Sequence, residues 1–183
     1  MTVQTVVGYY DSNTFVVEDN GTVLVIDAGA KLKDVQTALG SKKPSAVLLT
    51  HEHYDHVYYL DDYKAAFNCP VYTPTDEKEI VIGGITVKPM LCPGHSPNSV
   101  VYLVGDNLFT GDVLFADTIG RTDLNGGFRP SKATLEVRAQ NKAQMQAALK
   151  RLLGVKFKTA YHGHYGSSSF EEQQENIKSF IKD

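Results

Sequence analysis

Residues 45–56 read SAVLLTHEHYDH: an apolar run gives way at Thr50 to three histidines and two carboxylates within six positions. The whole chain has 6 histidines, so half of them fall in this one stretch. A packed core would not tolerate such a density of polar groups, because each would need a buried partner. Solubility does not call for histidine either. "SAVLLT" has the length and composition of a short buried strand, so the cluster begins where a strand ends. Side chains placed there project into loops at one rim of a sheet, the usual position for a functional site.

The same arrangement recurs along the chain. His95 follows "TVKPMLCPG", Asp112 follows "NLFTG", and His162 and His164 follow "FKTAY". At least four segments can therefore converge on one place. Imidazole and carboxylate are ligands that divalent transition metals accept. In an extended loop His51 and His53 point the same way and can chelate one ion, while Asp55 and His56 turn toward a second. Asp112, beside the flexible Gly111, can bridge the two. His162 and His164 are two residues apart, so strand alternation does not choose between them. Gly163 frees the backbone to turn, which puts His164 in the loop with the other candidates. His162 stays at the strand end, either behind the ligands or facing substrate. Structural zinc sites are mostly rich in cysteine and fully ligated. Here carboxylates replace sulfur, which points to an open, water-binding centre, and Cys92 near His95 reads as a small buried hydrophobe.

Around these clusters the chain alternates strands and helices. "NTFVVEDNGTVLVIDAG" reads as a hairpin closed at Asn20-Gly21, a pair favoured in type I′ turns. "AKLKDVQTALG" places Leu32, Val35 and Leu39 on one helical face with Gly40 as the stop. "HVYYLDDYKAAF" resumes helical spacing through Val57, Leu60, Tyr63 and Phe67. Short strands follow in "CPVYTPT", "GITVKPMLC", "SVVYLVGD" and "NLFTGD", then a long helix in "SKATLEVRAQNKAQMQAALKRLLG" and a strand in "FKTAYHG". The last helix opens at "SSSFEEQQENIKSFI", where Ser169 and Glu172 form a capping box. Two runs of strands, each followed by helices, predict one α/β domain over residues 1–183 with strands inside and helices outside.

Composition excludes several classes. The 183 residues carry a net charge of −3 with 18 basic and 21 acidic residues interspersed, so no basic stripe marks a nucleic-acid surface. Apolar stretches such as Val23–Ile26 and Val100–Val104 are too short to span a bilayer. The opening "MTVQTVVGYYDSN" lacks a basic n-region and a long apolar h-region. The 2 cysteines form no CxxC pair. A cytoplasmic protein acting on a small molecule, without nucleic-acid or membrane partners, is the expectation.

The quoted motifs, "HEHYDH", "PGHSPNS", "TGDVLF" and "HGHYG" in that order, resemble the metallo-β-lactamase superfamily across nearly the whole chain. "PGHSPNSVVYLVGDNLFTGDVLFADTIGRTDL" is most similar to glyoxalase II-like (hydroxyacylglutathione hydrolase-like) hydrolases and to persulfide dioxygenases. The resemblance implies an αββα sandwich with two divalent metal ions, zinc first and iron or manganese otherwise, between the rims of its sheets. His51, His53 and His95 would hold one ion, Asp55, His56 and His164 the other, and Asp112 would bridge. Asp55 and Asp112 would also serve catalysis, in hydrolysis of a hydroxyacylglutathione-type thioester by hydroxide held on the metals. A mononuclear iron persulfide dioxygenase and a lactonase are the alternatives. Arg121, Tyr165 and His162 are candidate substrate contacts, although Arg121 reads first as bracing its loop by pairing with Asp123. Four departures from the family pattern stand out, one of them a segment between "CPVYTPT" and "ITVKPM" shorter than expected. A full-length glyoxalase II carries a further C-terminal helical domain, which this chain ends too early to form. Asn98 stands where glycine is frequent, and "NGGFRPS" replaces the usual continuation after Arg-Thr-Asp.

Overall fold

The computed structural model describes residues 1–181. Strands β1 (Thr2–Val7), β2 (Asn13–Asp19), β3 (Thr22–Ile26), β4 (Ala46–Leu48) and β5 (Val71–Tyr72) form one sheet in that order. β1 to β3 run antiparallel, and Asn20 and Gly21 between β2 and β3 both have positive φ, 48° and 84°, as a type I′ turn requires. β4 and β5 join in parallel. The crossovers that allow this are helix α1 (Leu32–Leu39) before β4, and helices α2 (Tyr54–Val57) and α3 (Leu60–Phe67) before β5.

The second sheet contains β6 (Ile80–Ile82), β7 (Ile85–Leu91), β8 (Val100–Val104), β9 (Asn107–Gly111), β10 (Thr159–His162) and β11 (Ser167–Ser169), in the spatial order β11-β10-β9-β8-β7-β6. Helix α4 (Leu135–Leu152) carries the chain from β9 to the parallel β10, and α5 (Phe170–Phe180) follows β11.

Burial on both faces of the inner strands fixes the layers. On β2, Phe15 and Val17 pack between the sheets with Leu24, Ile26, Tyr102 and Phe109, whereas Val16 points the other way. That outer face, with Val23, Val25 and Val47, is covered by Val35 and Leu39 of α1 and Tyr63 of α3. On the second sheet Val101 and Leu108 face outward onto Met145, Leu149 and Leu152 of α4 and Ile177 of α5. Alternate residues thus serve alternate cores, as the pleat dictates. The product is the αββα sandwich that the sequence implies.

Two differences have physical causes. The helix expected from Val57 to Phe67 breaks at Tyr58–Tyr59, because the Tyr59 N–H bonds the Ala28 carbonyl at 2.9 Å. The strands β1, β6 and β11 carry weak patterns: β1 lies at the edge of its sheet with most residues exposed, and β11 is three serines. Among the described residues no helix is long and apolar enough to cross a membrane.

At one end of the sandwich the two sheets are stitched together. The Val100 N–H donates to the Thr50 carbonyl at 2.7 Å, and the Tyr102 hydroxyl donates to the Leu49 carbonyl at 2.7 Å. The Asn13 N–H donates to the Gly163 carbonyl at 2.7 Å, and its side-chain amide reaches the carbonyls of His162 and Tyr165 at 2.9 and 2.8 Å.

Candidate metal centre

All seven candidate ligands lie at that stitched end. His51 and His53 follow β4, Asp55 and His56 lie in α2, His95 lies between β7 and β8, Asp112 follows β9, and His164 follows β10. The ligand atoms of His51, His53 and His95 lie within 4.8 Å of one another, as do those of Asp55, His56 and His164. Asp112 stands between these groups. One carboxylate oxygen is 3.2 Å from His56 Nε2, and the other is 3.5 Å from both His95 Nε2 and His164 Nε2. A third grouping, His51, His56 and Asp112, meets the same 4.8 Å limit, so the two triads share a wall.

Residues behind the cluster set the orientation of each ring. Asp27 is fully buried and has φ of 62°. One of its oxygens accepts the Thr50 N–H at 2.8 Å; the other accepts the Thr50 hydroxyl at 2.8 Å and lies 2.9 Å from His56 Nδ1. His56 Nδ1 therefore carries a proton, and Nε2 faces the cluster. His95 Nδ1 lies 3.1 Å from the Arg121 carbonyl, which likewise turns its Nε2 inward, 2.9 Å from His53 Nδ1. Such partners fix tautomer and direction for a metal-binding imidazole. Glycine makes the closeness possible. A Cβ on Gly163 would collide with Asp112 Oδ1 and sit 2.9 Å from His56 Cε1, and one on Gly111, whose φ is 49°, would sit 2.6 Å from Thr50 Oγ1.

The two halves differ electrostatically. Burial pushes His51 well below the ordinary histidine range and His53 down to about 4, with neighbouring imidazoles adding to the effect. His95 is also lowered by burial, against the pull of Asp112. The other half is rich in carboxylate. Burial opposes a charge on His56 and His164, but Asp112 and Asp27 hold His56 well above the usual range, and Asp112 and Asp55 raise His164 to about 9. Burial alone would raise Asp112, yet His56 and its other histidine neighbours hold it well below the carboxylate range.

The donor set fits divalent cations. His51 Nε2, His53 Nε2 and Asp112 Oδ1 are buried without a hydrogen-bond partner, although His56 Nε2 lies 3.2 Å from that oxygen. Buried polar atoms left without partners in a native fold need an explanation. Imidazole nitrogens at 2.9 and 3.4 Å from one another, edged by carboxylates, converge on a cation.

The remaining candidates divide. Tyr165 is 78% exposed and lines the cleft over the cluster, as does Arg121. The Arg121 guanidinium is forked onto Asp123 at 2.9 and 3.0 Å, the loop-bracing pair foreseen in "GRTD". His162 is not in the cleft. It is fully buried, with Nδ1 2.9 Å from the Thr110 hydroxyl and Nε2 2.9 Å from the Ser168 hydroxyl, which corrects its reading as a substrate contact. Asp27 was missed, although an acid closing the apolar run "VLVI" was the available signal. The carbonyl of Arg121 left no signal at all, because any residue supplies one.

The protein family model for the metallo-beta-lactamase superfamily matches residues 7–84 and 71–164. The chain belongs to that superfamily. Among its relatives, the "Probable metallo-hydrolase YqgX" of Bacillus subtilis (strain 168) is 31% identical over 157 residues, covering 66% of this chain and 74% of that protein. The "Hydroxyacylglutathione hydrolase" of Idiomarina loihiensis is 29% identical over 137 residues, covering 66% of this chain and 54% of that protein. The crystal structure of BLEG-1 B3 metallo-beta-lactamase superposes with a TM-score of 0.83 at 24% identity, covering 99% of this chain and all of that one, which is a likeness of fold.

Proposed function

We propose that the protein is a metal-dependent hydrolase that cleaves a small thioester of the hydroxyacylglutathione type. The observation that carries this reading is the meeting of a buried histidine triad and a carboxylate-rich triad across Asp112. His51, His53 and His95 would hold one divalent ion, and Asp55, His56 and His164 a second, with Asp112 between them. Zinc suits His and carboxylate donors with a position left open. Ions bound there would polarise the substrate carbonyl and lower the pKa of water toward neutrality.

The chain's own groups do the rest. Asp55, 3.2 Å from His164 Nε2 and facing the cleft, is placed to orient the attacking water. In the reaction the C–S bond breaks, a C–O bond forms, and water supplies the acid's oxygen and the proton that the thiol ends with. A thiolate leaves readily, so no strong general acid is required. Tyr165, at the cleft mouth, is placed to donate a hydrogen bond to substrate. The relative named as a hydroxyacylglutathione hydrolase supports the thioester class. A mononuclear iron dioxygenase would use one triad; the convergence of both favours hydrolysis.

The test is a panel of lactoylglutathione, simpler thioesters and lactones with protein reconstituted with zinc, iron or manganese. Metal-dependent thioester turnover is expected. Turnover of none of the thioesters overturns the reading, and oxygen uptake with a persulfide would put the dioxygenase in its place.

A further inference from the structure

Two tyrosines at the mouth of the metal cleft are held in a costly conformation without being buried. Tyr10 is 64% exposed with φ of 53°, and Tyr165 is 78% exposed with φ of 65°. Bulky residues rarely occupy the left-handed region, and such strain concentrates where a site uses it. Tyr10 meets Tyr9 edge-on at 4.6 Å between ring centroids, yet Tyr10 and Tyr165 both leave most of their surface open. Both line one cleft of about 510 Å³ together with Asp55, His95, Asp112 and His164.

Their backbones are anchored to the cluster itself. Ser12, two residues beyond Tyr10, pairs with His164 in a β-bridge and donates its hydroxyl to the Asp55 carbonyl at 2.7 Å. The Tyr165 carbonyl accepts from Asn13 at 2.8 Å. Other rings extend the apolar surface. Tyr54 meets Tyr10 edge-on at 5.5 Å, and Phe115 lies 6.2 Å from Tyr165.

The cleft's charge complements its rings. Among the described residues lining this cleft, the one cation outside the candidate ligands is Arg121, already forked onto Asp123. Arg129 does not line the cleft. The acyl group, whose carbonyl must reach the candidate ligands, therefore lies in the part of the cleft that offers ring faces and edges and, among the described residues, no free cation, which suits an uncharged flat group.

Resting on the thioesterase reading, we propose that the acyl half of the substrate carries an aromatic ring, which packs against Tyr10 and Tyr165. The preferred substrates are then aromatic 2-hydroxyacyl thioesters rather than short aliphatic ones.

The experiment compares S-mandeloylglutathione with S-lactoylglutathione on the metal-reconstituted protein and on Tyr10→Ala, Tyr165→Ala and the two phenylalanine variants. The native protein should favour the mandeloyl ester by about tenfold in kcat/KM, the scale expected for an aromatic pair. Either alanine variant should bring that ratio toward one, mainly through KM, and the phenylalanine variants should keep it. Equal rates on both esters, or a ratio unmoved by either alanine, would overturn the proposal. Calorimetric binding of two inert thioethers, S-benzylglutathione and S-methylglutathione, separates this failure from failure of the thioesterase reading. Tighter binding of the benzyl compound, lost in Tyr10→Ala, supports the ring site even if no thioester turns over. Equal or undetectable binding of both counts against it.

Discussion

His162 and His164 differ by two positions and by everything around them. His164 faces Asp55 and Asp112 at 3.2 and 3.5 Å, whereas both nitrogens of His162 are taken by hydroxyls of Thr110 and Ser168. His164→Ala should lose about one of two metal equivalents and nearly all activity. His162→Ala should keep both ions and lose activity by about 10–100-fold, the usual cost of disturbing groups behind a metal site. Metal content measured beside kcat checks both. If His162→Ala empties a site that His164→Ala leaves filled, the roles must be exchanged. At this scale the sequence was informative wherever residue type carried the chemistry, as in "HEHYDH" and "HGHYG". It was silent where a backbone group or a fold-wide approach did. Nothing local in "GRTD" says that the Arg121 carbonyl turns His95, or that Asn13 ties down the loop of Tyr165.

Among the elements, α5 was legible because its start is chemical. The Ser169 hydroxyl accepts the Glu172 N–H at 3.2 Å, and the Glu172 carboxylate accepts the Ser169 N–H at 2.7 Å. Ser169→Ala should cost about 1 kcal/mol, seen as a fall of roughly 2–4 °C in Tm for a chain of this size. No change in Tm would mean that the packing of Ile177 onto the α4 side of the sheet sets this helix alone. The hairpin at Asn20-Gly21 was legible for a similar reason, since its turn demands positive φ at both positions. The break between α2 and α3 was not. Apolar spacing continues through Tyr58 and Tyr59, and only the Ala28 carbonyl, thirty-one residues upstream of Tyr59, diverts the chain. The edge strand β1 was hidden by its own exposure, because a strand with one neighbour and little burial shows no clean alternation.

Over the whole molecule, the fold brings a neutral triad from one set of loops against a carboxylate-rich one, and the two should respond to pH differently. In the metal-free protein His164, raised to about 9, and His56, held well above the usual range, carry protons at neutral pH that an incoming cation must displace. Affinity at that half should therefore rise with pH up to about 9, by about tenfold per unit for each proton released. His53, held down to about 4, is already neutral, and burial also keeps His51 and His95 low. Between about pH 6 and 8 affinity at that half should depend on pH more weakly. Competition titrations with a chromophoric chelator across this range read both constants, and two parallel slopes would refute the division. A centre built for two ions around Asp112 is the feature on which the chemistry rests. The most direct measurement is zinc stoichiometry by calorimetry at pH 8 on chelator-stripped protein, native and Asp112→Ala. The prediction is about two equivalents for the native chain and weakened binding of both in the variant. A single equivalent in the native chain, or two tight equivalents without Asp112, would contradict it.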